Sequence, residues 1–279
     1  MPKPNIEFES LGTHWWIEIL DDEPDADVER LILKRIRAFH DDYSRFIPKS
    51  FIGRLNTMKS LKNPPQELVD MLIFARDMFT ASEGIFNISV SSTLGQLGYG
   101  TADAKSRIHT SLWDHVTMSN REITIPENVE IDLGGFGKGW IIDEIGKILR
   151  DNNRPHFIIN GGGDILVSSL EPIEIVLEHP LDSSLMIGST KISHGALGVS
   201  STKKRIWKQG DITYHHIIDP RIKAPSESDI AATFVKADTA LIADTLATVL
   251  LIDPTQDIKL TKAYALQTIL IREDQLAST

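Results

Sequence analysis

The stretch Asp132-Leu133-Gly134-Gly135-Phe136-Gly137-Lys138-Gly139 decides how the centre of this chain folds. It follows Val129-Glu130-Ile131, which predicts a short strand, and it precedes a segment whose apolar residues recur at helical spacing as far as Arg150. Glycines let the backbone turn sharply and approach a ligand closely. The N-terminus of the next helix would direct unpaired N–H groups at that ligand. The stretch therefore predicts a strand–turn–helix unit that can bind an anion, with phosphate as the leading candidate.

The glycine spacing differs from that of the two best-known phosphate loops. A dinucleotide fingerprint needs G-x-G-x-x-G, but Gly135 and Gly137 are followed by Gly139 one position too early. A P-loop needs Ser or Thr after Gly-Lys, whereas Lys138 is followed by glycine. These differences argue against a nicotinamide dehydrogenase and against a P-loop NTPase. A tight turn with no ligand remains the alternative, since glycine serves turns as readily as sites.

Composition narrows the class of protein. The chain has 279 residues, a formal charge of −10 and no cysteine. Its length suits one large domain, so we expect a single domain over residues 1–279. Without cysteine there is no disulfide or thiolate nucleophile, and any metal must bind oxygen or imidazole. The negative charge makes nucleic acid an unexpected partner.

No feature of the sequence indicates a membrane span. No apolar run approaches the roughly 20 residues that a spanning helix needs. Residues Met1–Asn5 lack the charged-then-apolar plan of a secretory signal, and no cysteine is present for a lipid anchor. We therefore expect a cytoplasmic location.

Periodicity predicts several amphipathic helices. Apolar residues recur at helical spacing over Asp27–Phe39 and again after Pro64-Pro65, where Glu83-Gly84 supplies a stop. The last strong helix is predicted over Asp238–Leu251.

Strands alternate with these helices. Residues Ile6–Leu20 predict a strand that is broken at Gly12-Thr13. Two more strands, Phe157–Ile159 and Ile165–Val167, flank a glycine turn, and Glu171–Ile218 predicts several short antiparallel segments. The fold class is therefore α+β, with mostly antiparallel sheet and packed helices.

Asp244 and Thr248 form a candidate metal site. They lie four residues apart on a predicted helix, so a carboxylate and a hydroxyl project from the same face. Such hard oxygen ligands suit Mg²⁺, which commonly keeps waters and substrate phosphate as further ligands. The same spacing also occurs on solvated helices, although the apolar neighbours of this pair indicate burial, and a buried carboxylate needs a partner.

His216 is a candidate base. It precedes the turn at Asp219-Pro220, where local backbone can hold an imidazole that accepts a proton near neutral pH. The alternative is a structural histidine beside a turn. His215 adds ambiguity, because adjacent residues on an extended segment face opposite ways.

Seven motifs in order resemble the ApbE family, and the resemblance runs from about Gly12 to Leu251. They are Gly12-Thr13, Ser44-Arg45-Phe46 with Leu55-Asn56, Gly84-Ile85-Phe86-Asn87, Asp132–Gly139, Asn160-Gly161-Gly162-Gly163-Asp164, His216–Arg221, and Ala243-Asp244 with Ala247-Thr248. The resemblance implies one compact α+β unit related to the T-fold. It also implies a Mg²⁺-dependent FAD:protein FMN transferase, which splits FAD, attaches FMN to a threonine of an acceptor flavoprotein and releases AMP.

The resemblance also implies roles for individual residues. The metal would rest on Asp244 and Thr248, with main-chain oxygens at Gly135 and Ala247. His216 would take the proton of the acceptor threonine. The flavin nucleotide would be held by Leu11, Phe46, Ile85, Phe86, Asn87, Asp132, Lys138 and Ile218.

Some positions depart from the family's pattern and keep two other functions open. Leu11 stands where methionine is usual, Asn87 where aspartate is common, and Ser200-Ser201 where Ser-Gly is expected. Ile222-Lys223 replaces Thr-Gly. The chain could therefore be a Mg²⁺-dependent FAD pyrophosphatase that yields FMN and AMP, or a flavin-binding protein without catalysis.

Overall fold

The computed structural model describes residues 6–20, 26–99, 106–182 and 184–276 of the chain. The helices are α1 (Ala26–Tyr43), α2 (Phe51–Met58), α3 (Gln66–Ala81), α4 (Ser91–Gln96), α5 (Gly137–Asp151), α6 (Ala240–Ile252), α7 (Asp257–Tyr264) and α8 (Glu273–Leu276). Two short 3₁₀ turns lie at Leu112–Asp114 and Pro254–Gln256. None of the helices in this part of the chain has the length and apolar character needed to cross a bilayer.

The strands are β1 (Ile6–Ser10), β2 (Thr13–Ile19), β3 (Ser60–Lys62), β4 (Thr117–Met118), β5 (Glu122–Thr124), β6 (Phe157–Gly161), β7 (Asp164–Glu178), β8 (Met186–Ser201), β9 (Ile206–Gln209), β10 (Ile212–His215), β11 (Ile218–Asp219), β12 (Ala224–Pro225), β13 (Ile230–Ala237) and β14 (Gln267–Arg272). Seven of them form one sheet in the order β1-β2-β6-β7-β8-β13-β14. Every neighbouring pair in this sheet is antiparallel. The α+β class and the mostly antiparallel sheet are confirmed.

Two tight turns at the same end of the sheet set the register of the strands that they join. Leu11 and Gly12 connect β1 to β2, and Gly162 and Gly163 connect β6 to β7; all four have positive φ. Two-residue hairpin turns with φ > 0 at both positions match the twist of the strands they join. A Cβ at Gly162 would lie 2.3 Å from Oγ1 of Thr13, so the two turns lie against each other.

The helices pack on one face of the sheet. Alternate strand residues such as Trp15, Phe157 and Leu166 join the buried faces of the helices in the main core. The neighbouring residues Ile158, Ile165 and their counterparts on β8 and β13 form a second apolar cluster on the other face. This alternation is what strands with a period of two residues produce.

Two details of the sequence-based prediction are wrong. Residues 129–131 form no strand; instead Asn56 on α2 holds this extended segment, because its amide accepts from the N–H of Ile131 at 2.8 Å and donates to the same residue's carbonyl at 2.9 Å. The region after Glu171 is not a set of short segments. It consists mainly of the long strands β7 and β8, followed by the short β9–β10 hairpin.

Candidate functional site

Helix α6 is held unusually close to both α5 and β8. A Cβ at Gly139 would lie 2.5 Å from the carbonyl oxygen of Ala240, and a Cβ at Gly198 would lie 2.2 Å from the carbonyl carbon of Ala243. Both contacts are with backbone, which cannot move aside as a flexible side chain does. These two glycines therefore let α6 approach closely enough for Asp244 to lie at the start of α5.

Asp244 occupies the anion position at the N-terminus of α5. Its Oδ2 accepts from the backbone N–H of Gly139 at 2.9 Å, and its Oδ1 lies 3.2 Å from Nζ of Lys138. Only 4% of Asp244 is exposed. The glycine stretch thus directs one N–H group, that of Gly139, at an anion, and in this structure a carboxylate of the chain itself is that anion.

Lys138 bridges two buried carboxylates. Its ammonium also pairs with Asp164, which is 1% exposed and whose Oδ1 accepts from the backbone N–H of Val199 at 2.9 Å. Burial alone would lower the pKa of Lys138, but Asp164 and Asp244 outweigh it and raise the pKa above its usual value. Lys138 is therefore a fixed cation at the carboxylates.

Burial and the charge of Asp164 raise the pKa of Asp244, while Lys138 and the Gly139 N–H oppose that rise. Negative charge is thus crowded at this position, because two carboxylates share one ammonium. A further cation beside Asp244 would relieve that crowding.

The hydroxyl of Thr248 completes the oxygen-rich face of α6. Its Oγ1 lies 2.9 Å from Oγ of Ser200 and 3.5 Å from the carbonyl oxygen of Asp244. The carbonyl oxygen of Ala247 instead accepts from Oγ1 of Thr233 at 2.7 Å, in the contact between α6 and β13. In the described residues, no group of three or more His, Asp or Glu side chains could hold a metal ion. A carboxylate and a hydroxyl suit Mg²⁺, but waters, main-chain oxygens or a substrate would have to complete its shell.

The glycine turn is tied to its surroundings through Asp132. One carboxylate oxygen accepts from the N–H of Gly134 at 3.0 Å, and the other lies 3.1 Å from Nε of Arg45. The guanidinium of Arg45 lies 4.2 Å from the ring centre of Phe46, whose exposed fraction is 59%. Phe46 is thus a surface aromatic next to the turn.

Residues 85–87 lie inside the fold. Ile85 and Phe86 are buried, and a Cβ at Gly135 would lie 3.3 Å from the ring of Phe86. The side chain of Asn87 accepts from the N–H and hydroxyl of Ser89 at 2.9 and 2.7 Å and donates to the carbonyl of His109 at 3.0 Å. The Asn87 amide is therefore committed to this loop rather than directed at a ligand.

His216 lies in the loop after β10. It is half-buried, and its Nδ1 is buried without a hydrogen-bond partner in the described part of the chain. Burial, then the charges of Arg205, His215 and Lys138, lower its pKa to about 3, while the backbone carbonyl of Arg205 opposes the shift. The imidazole is thus neutral at physiological pH, but the lowered pKa makes it a weaker base than the near-neutral histidine that the sequence suggested. It lies within electrostatic reach of Lys138.

The structure brings some of the predicted site residues together and separates others. Lys138, Asp244 and Thr248 form one cluster. Asp132 and Gly135 lie in the glycine turn that precedes Lys138. Leu11 lies in the β1–β2 turn, which contacts the β6–β7 turn, and has a φ of 52°. Ile218 is buried with Leu94 and Ile108.

Sequence reasoning missed two residues of the site: Asp164, which pairs with Lys138, and Arg205, which lies beside His216. Asp164 is the last residue of the motif Asn160–Asp164, and its position directly after three glycines was the one sequence signal for it. Nothing in the local sequence shows that the Lys138 side chain reaches it. Arg205 carried no signal beyond its basic neighbours.

Comparisons with known proteins agree on one family. The model of the ApbE family matches residues 11–270. A protein of Vibrio cholerae serotype O1, named FAD:protein FMN transferase, is 22% identical over 87% of this chain and 79% of its own length. A protein of the same name from Klebsiella pneumoniae is 29% identical, but the match spans only 53% of this chain and 48% of that protein.

Solved structures support the same fold. An ApbE protein from Thermotoga maritima superposes with a TM-score of 0.83 at 20% identity, covering 96% of this chain and 94% of that one. The flavin transferase ApbE from Vibrio cholerae gives a TM-score of 0.79 at 20% identity, with 96% and 93% covered. At these identities the superpositions establish the fold alone. Because the family model spans almost the whole chain, the protein belongs to the ApbE family.

Proposed function

We propose that this protein transfers FMN from FAD to a threonine of an acceptor flavoprotein and releases AMP. The observation that carries the proposal is the half-buried Lys138, which bridges the buried carboxylates of Asp164 and Asp244 at the N-terminus of α5. A fixed cation, helix N–H groups and hard oxygen ligands together suit a phosphoryl group that gains charge during transfer. The name of the relatives, FAD:protein FMN transferase, supports transfer of FMN from FAD to a protein.

The reaction forms one bond and breaks one. The threonine Oγ attacks the FMN phosphorus, the bond from that phosphorus to the bridging oxygen breaks, and AMP leaves with this oxygen. We assign the threonine proton to His216, whose imidazole is neutral and has a free lone pair. The negative charge of the bound pyrophosphate would offset the nearby cations and raise the low pKa, which strengthens the imidazole as a base. Lys138 would balance charge on the phosphoryl oxygens.

The residues present fit a magnesium ion. Asp244 and Thr248 would hold it, with main-chain oxygen at Gly135 as a further ligand; Ala247 is the weaker candidate because its carbonyl oxygen is engaged by Thr233. A bound Mg²⁺ would polarise the phosphoryl oxygens and stabilise the leaving AMP.

We assign the flavin nucleotide to the surface around the glycine turn. The contacts would come from Leu11, Phe46, Asp132 and Lys138 and from the backbone of residues 85–87 and Ile218. Backbone contact is the expected mode at 85–87, because these side chains are buried in the fold.

The test is mass spectrometry of an intact threonine-bearing flavoprotein domain after incubation with this protein, FAD and Mg²⁺. We expect an FMN adduct that EDTA abolishes. Asp244→Asn should abolish the adduct, whereas Asp238→Asn, at an exposed position just before α6, should leave it intact.

Two results would contradict the proposal. AMP formed in the tube without an adduct on any acceptor would indicate hydrolysis of FAD, and tight FAD binding without any product would indicate a flavin-binding protein.

A further inference from the structure

The β9–β10 hairpin brings Arg205 beside the candidate base. In its antiparallel register Ile206 lies opposite His215 and Trp207 opposite Tyr214, so the Trp207 and Tyr214 side chains point to the same face of the ribbon. Arg205 and His216 each lie one residue beyond this pairing, at the open end of the hairpin. The His216 imidazole lies against the backbone carbonyl of Arg205, so the two residues are neighbours.

That face of the hairpin is anchored to the body of the protein. The rings of Trp207 and Tyr214 stack with centres 6.2 Å apart, and Trp207 also packs against Tyr99 with centres 5.0 Å apart. Trp207 Nε1 donates to the carbonyl of Leu97 at 2.6 Å. Arg205 directly precedes β9, and His216 directly follows β10. The hairpin therefore holds Arg205 and His216 together at a defined position.

No carboxylate among the described residues pairs with the guanidinium of Arg205. Two basic neighbours are paired, Lys203 with Glu273 at 2.5 Å and Lys204 with Glu178 at 3.2 Å. By contrast, no carboxylate of the described residues lies within 4.0 Å of the Arg205 side chain, which is half-buried. A partly desolvated cation without a partner suits an anionic ligand, and a guanidinium matches phosphate oxygens in two-point geometry.

We propose that Arg205, beside His216, binds the pyrophosphate of the nucleotide substrate together with the carboxylate-held Lys138. This inference rests on the proposed function, since it assigns Arg205 to the same substrate. Arg205 donates to phosphoryl oxygens, and that interaction strengthens as the bond to the departing AMP breaks and charge moves onto its phosphate.

Two substitutions in the same hairpin region test the assignment. Arg205→Gln removes the cation beside His216, whereas Lys208→Gln removes an exposed cation opposite Thr213. The dissociation constant of FAD is measured by quenching of flavin fluorescence, and thermal unfolding reports the fold. We expect Arg205→Gln to raise the dissociation constant at least about tenfold, as loss of a charge-assisted hydrogen bond predicts. Lys208→Gln should change it less than about twofold, and both variants should melt like the wild type.

A third variant, Arg205→Lys, keeps the charge but loses the two-point geometry, so it should restore part of the affinity. It also keeps the test informative if Arg205→Gln fails to fold. Unchanged FAD affinity in a folded Arg205→Gln variant would overturn the assignment. If that variant does not fold, unchanged affinity in both Arg205→Lys and Arg205→Ala would overturn it. Equal weakening of FAD binding by Lys208→Gln would also overturn it. If the wild type itself neither binds FAD nor transfers FMN, the proposed function fails. If the wild type does both and the Arg205 variants match it, this inference alone fails.

Discussion

Asp143 and Asp244 cap each other's helices. Asp143 of α5 accepts from the backbone N–H groups of Ala240 and Leu241, both at 2.9 Å, at the start of α6. Asp244 of α6 accepts from Gly139 at the start of α5. Carboxylates satisfy unpaired N–H groups at helix N-termini and interact favourably with the helix dipole. The candidate site is therefore built on two helices that position each other.

Replacement of Asp143 should weaken this arrangement without touching the cluster at Lys138. Asp143→Ala leaves two N–H groups of α6 without partners, so we expect a loss of about 1–2 kcal/mol in the free energy of unfolding. Urea denaturation measures it, and Asp151→Ala, at the exposed end of α5, is the matched control. A variant as stable as the control would show that water replaces the cap at no cost.

Replacement of Gly139 should separate α5 from α6. Gly139→Ala brings Cβ within 2.5 Å of a backbone oxygen, so we expect a loss of about 2–3 kcal/mol and reduced FMN transfer. Gly146→Ala on the same helix is the control, because its Cβ would mainly meet a mobile methyl of Leu166 at 2.7 Å and alanine favours the helix. If both variants unfold at the same urea concentration, the close approach at Gly139 is not what limits the packing.

Removal of the Lys138 ammonium should destabilise the fold strongly. Lys138→Met leaves Asp164 and Asp244 facing each other without a cation, and breaking a buried pair on one side typically costs about 3–5 kcal/mol. Lys147→Met removes an exposed lysine from the same helix and should change stability by less than about 0.5 kcal/mol. Urea denaturation compares the two, and equal stability would mean that the bridge contributes nothing net.

Stability should fall at acidic pH because of His216. The folded-state pKa of this histidine is lowered to about 3, whereas the unfolded chain binds a proton near pH 6.5. The unfolded state therefore binds more protons below pH 6.5, and the stability decreases as pH falls from there toward 3. Between pH 7 and pH 5 we expect the wild type to lose about 1–2 kcal/mol more than His216→Gln.

The measurement is the free energy of unfolding of both proteins at the two pH values. His194→Gln, at an exposed position of β8, controls for replacing a histidine by glutamine. Equal pH dependence of the wild type and His216→Gln would contradict the depressed pKa.

Elements with a local sequence pattern could be predicted from the sequence. The helices α1, α3, α5 and α6 were predictable from their apolar periodicity. The β1–β2 and β6–β7 turns were predictable from their glycines. The pair Asp244 and Thr248 was visible for the same reason. The single-domain extent over 1–279, the cytoplasmic location and the absence of nucleic acid among the partners stay predictions.

What the sequence could not show depends on distant contacts. Residues 129–131 have the composition of a strand, but a helix side chain, Asn56, replaces the strand partner. Asp164 lies next to Lys138 only because β6 and β7 bring it there. The side chain of Asn87 is committed to Ser89 and His109, and no local pattern reveals that. Tertiary contacts decide each of these cases.

The contact of Asn56 with Ile131 has a consequence for how the glycine turn could diversify. A strand before the turn would have tied its position to the register of a sheet, where a shift of one residue exchanges the two faces. Two hydrogen bonds from one amide impose no such register. Insertions or substitutions between Ile131 and Gly137 could therefore reshape the ligand-facing loop while the seven-stranded sheet keeps its alignment. The loop can vary in sequence, and the sheet that supports it need not change.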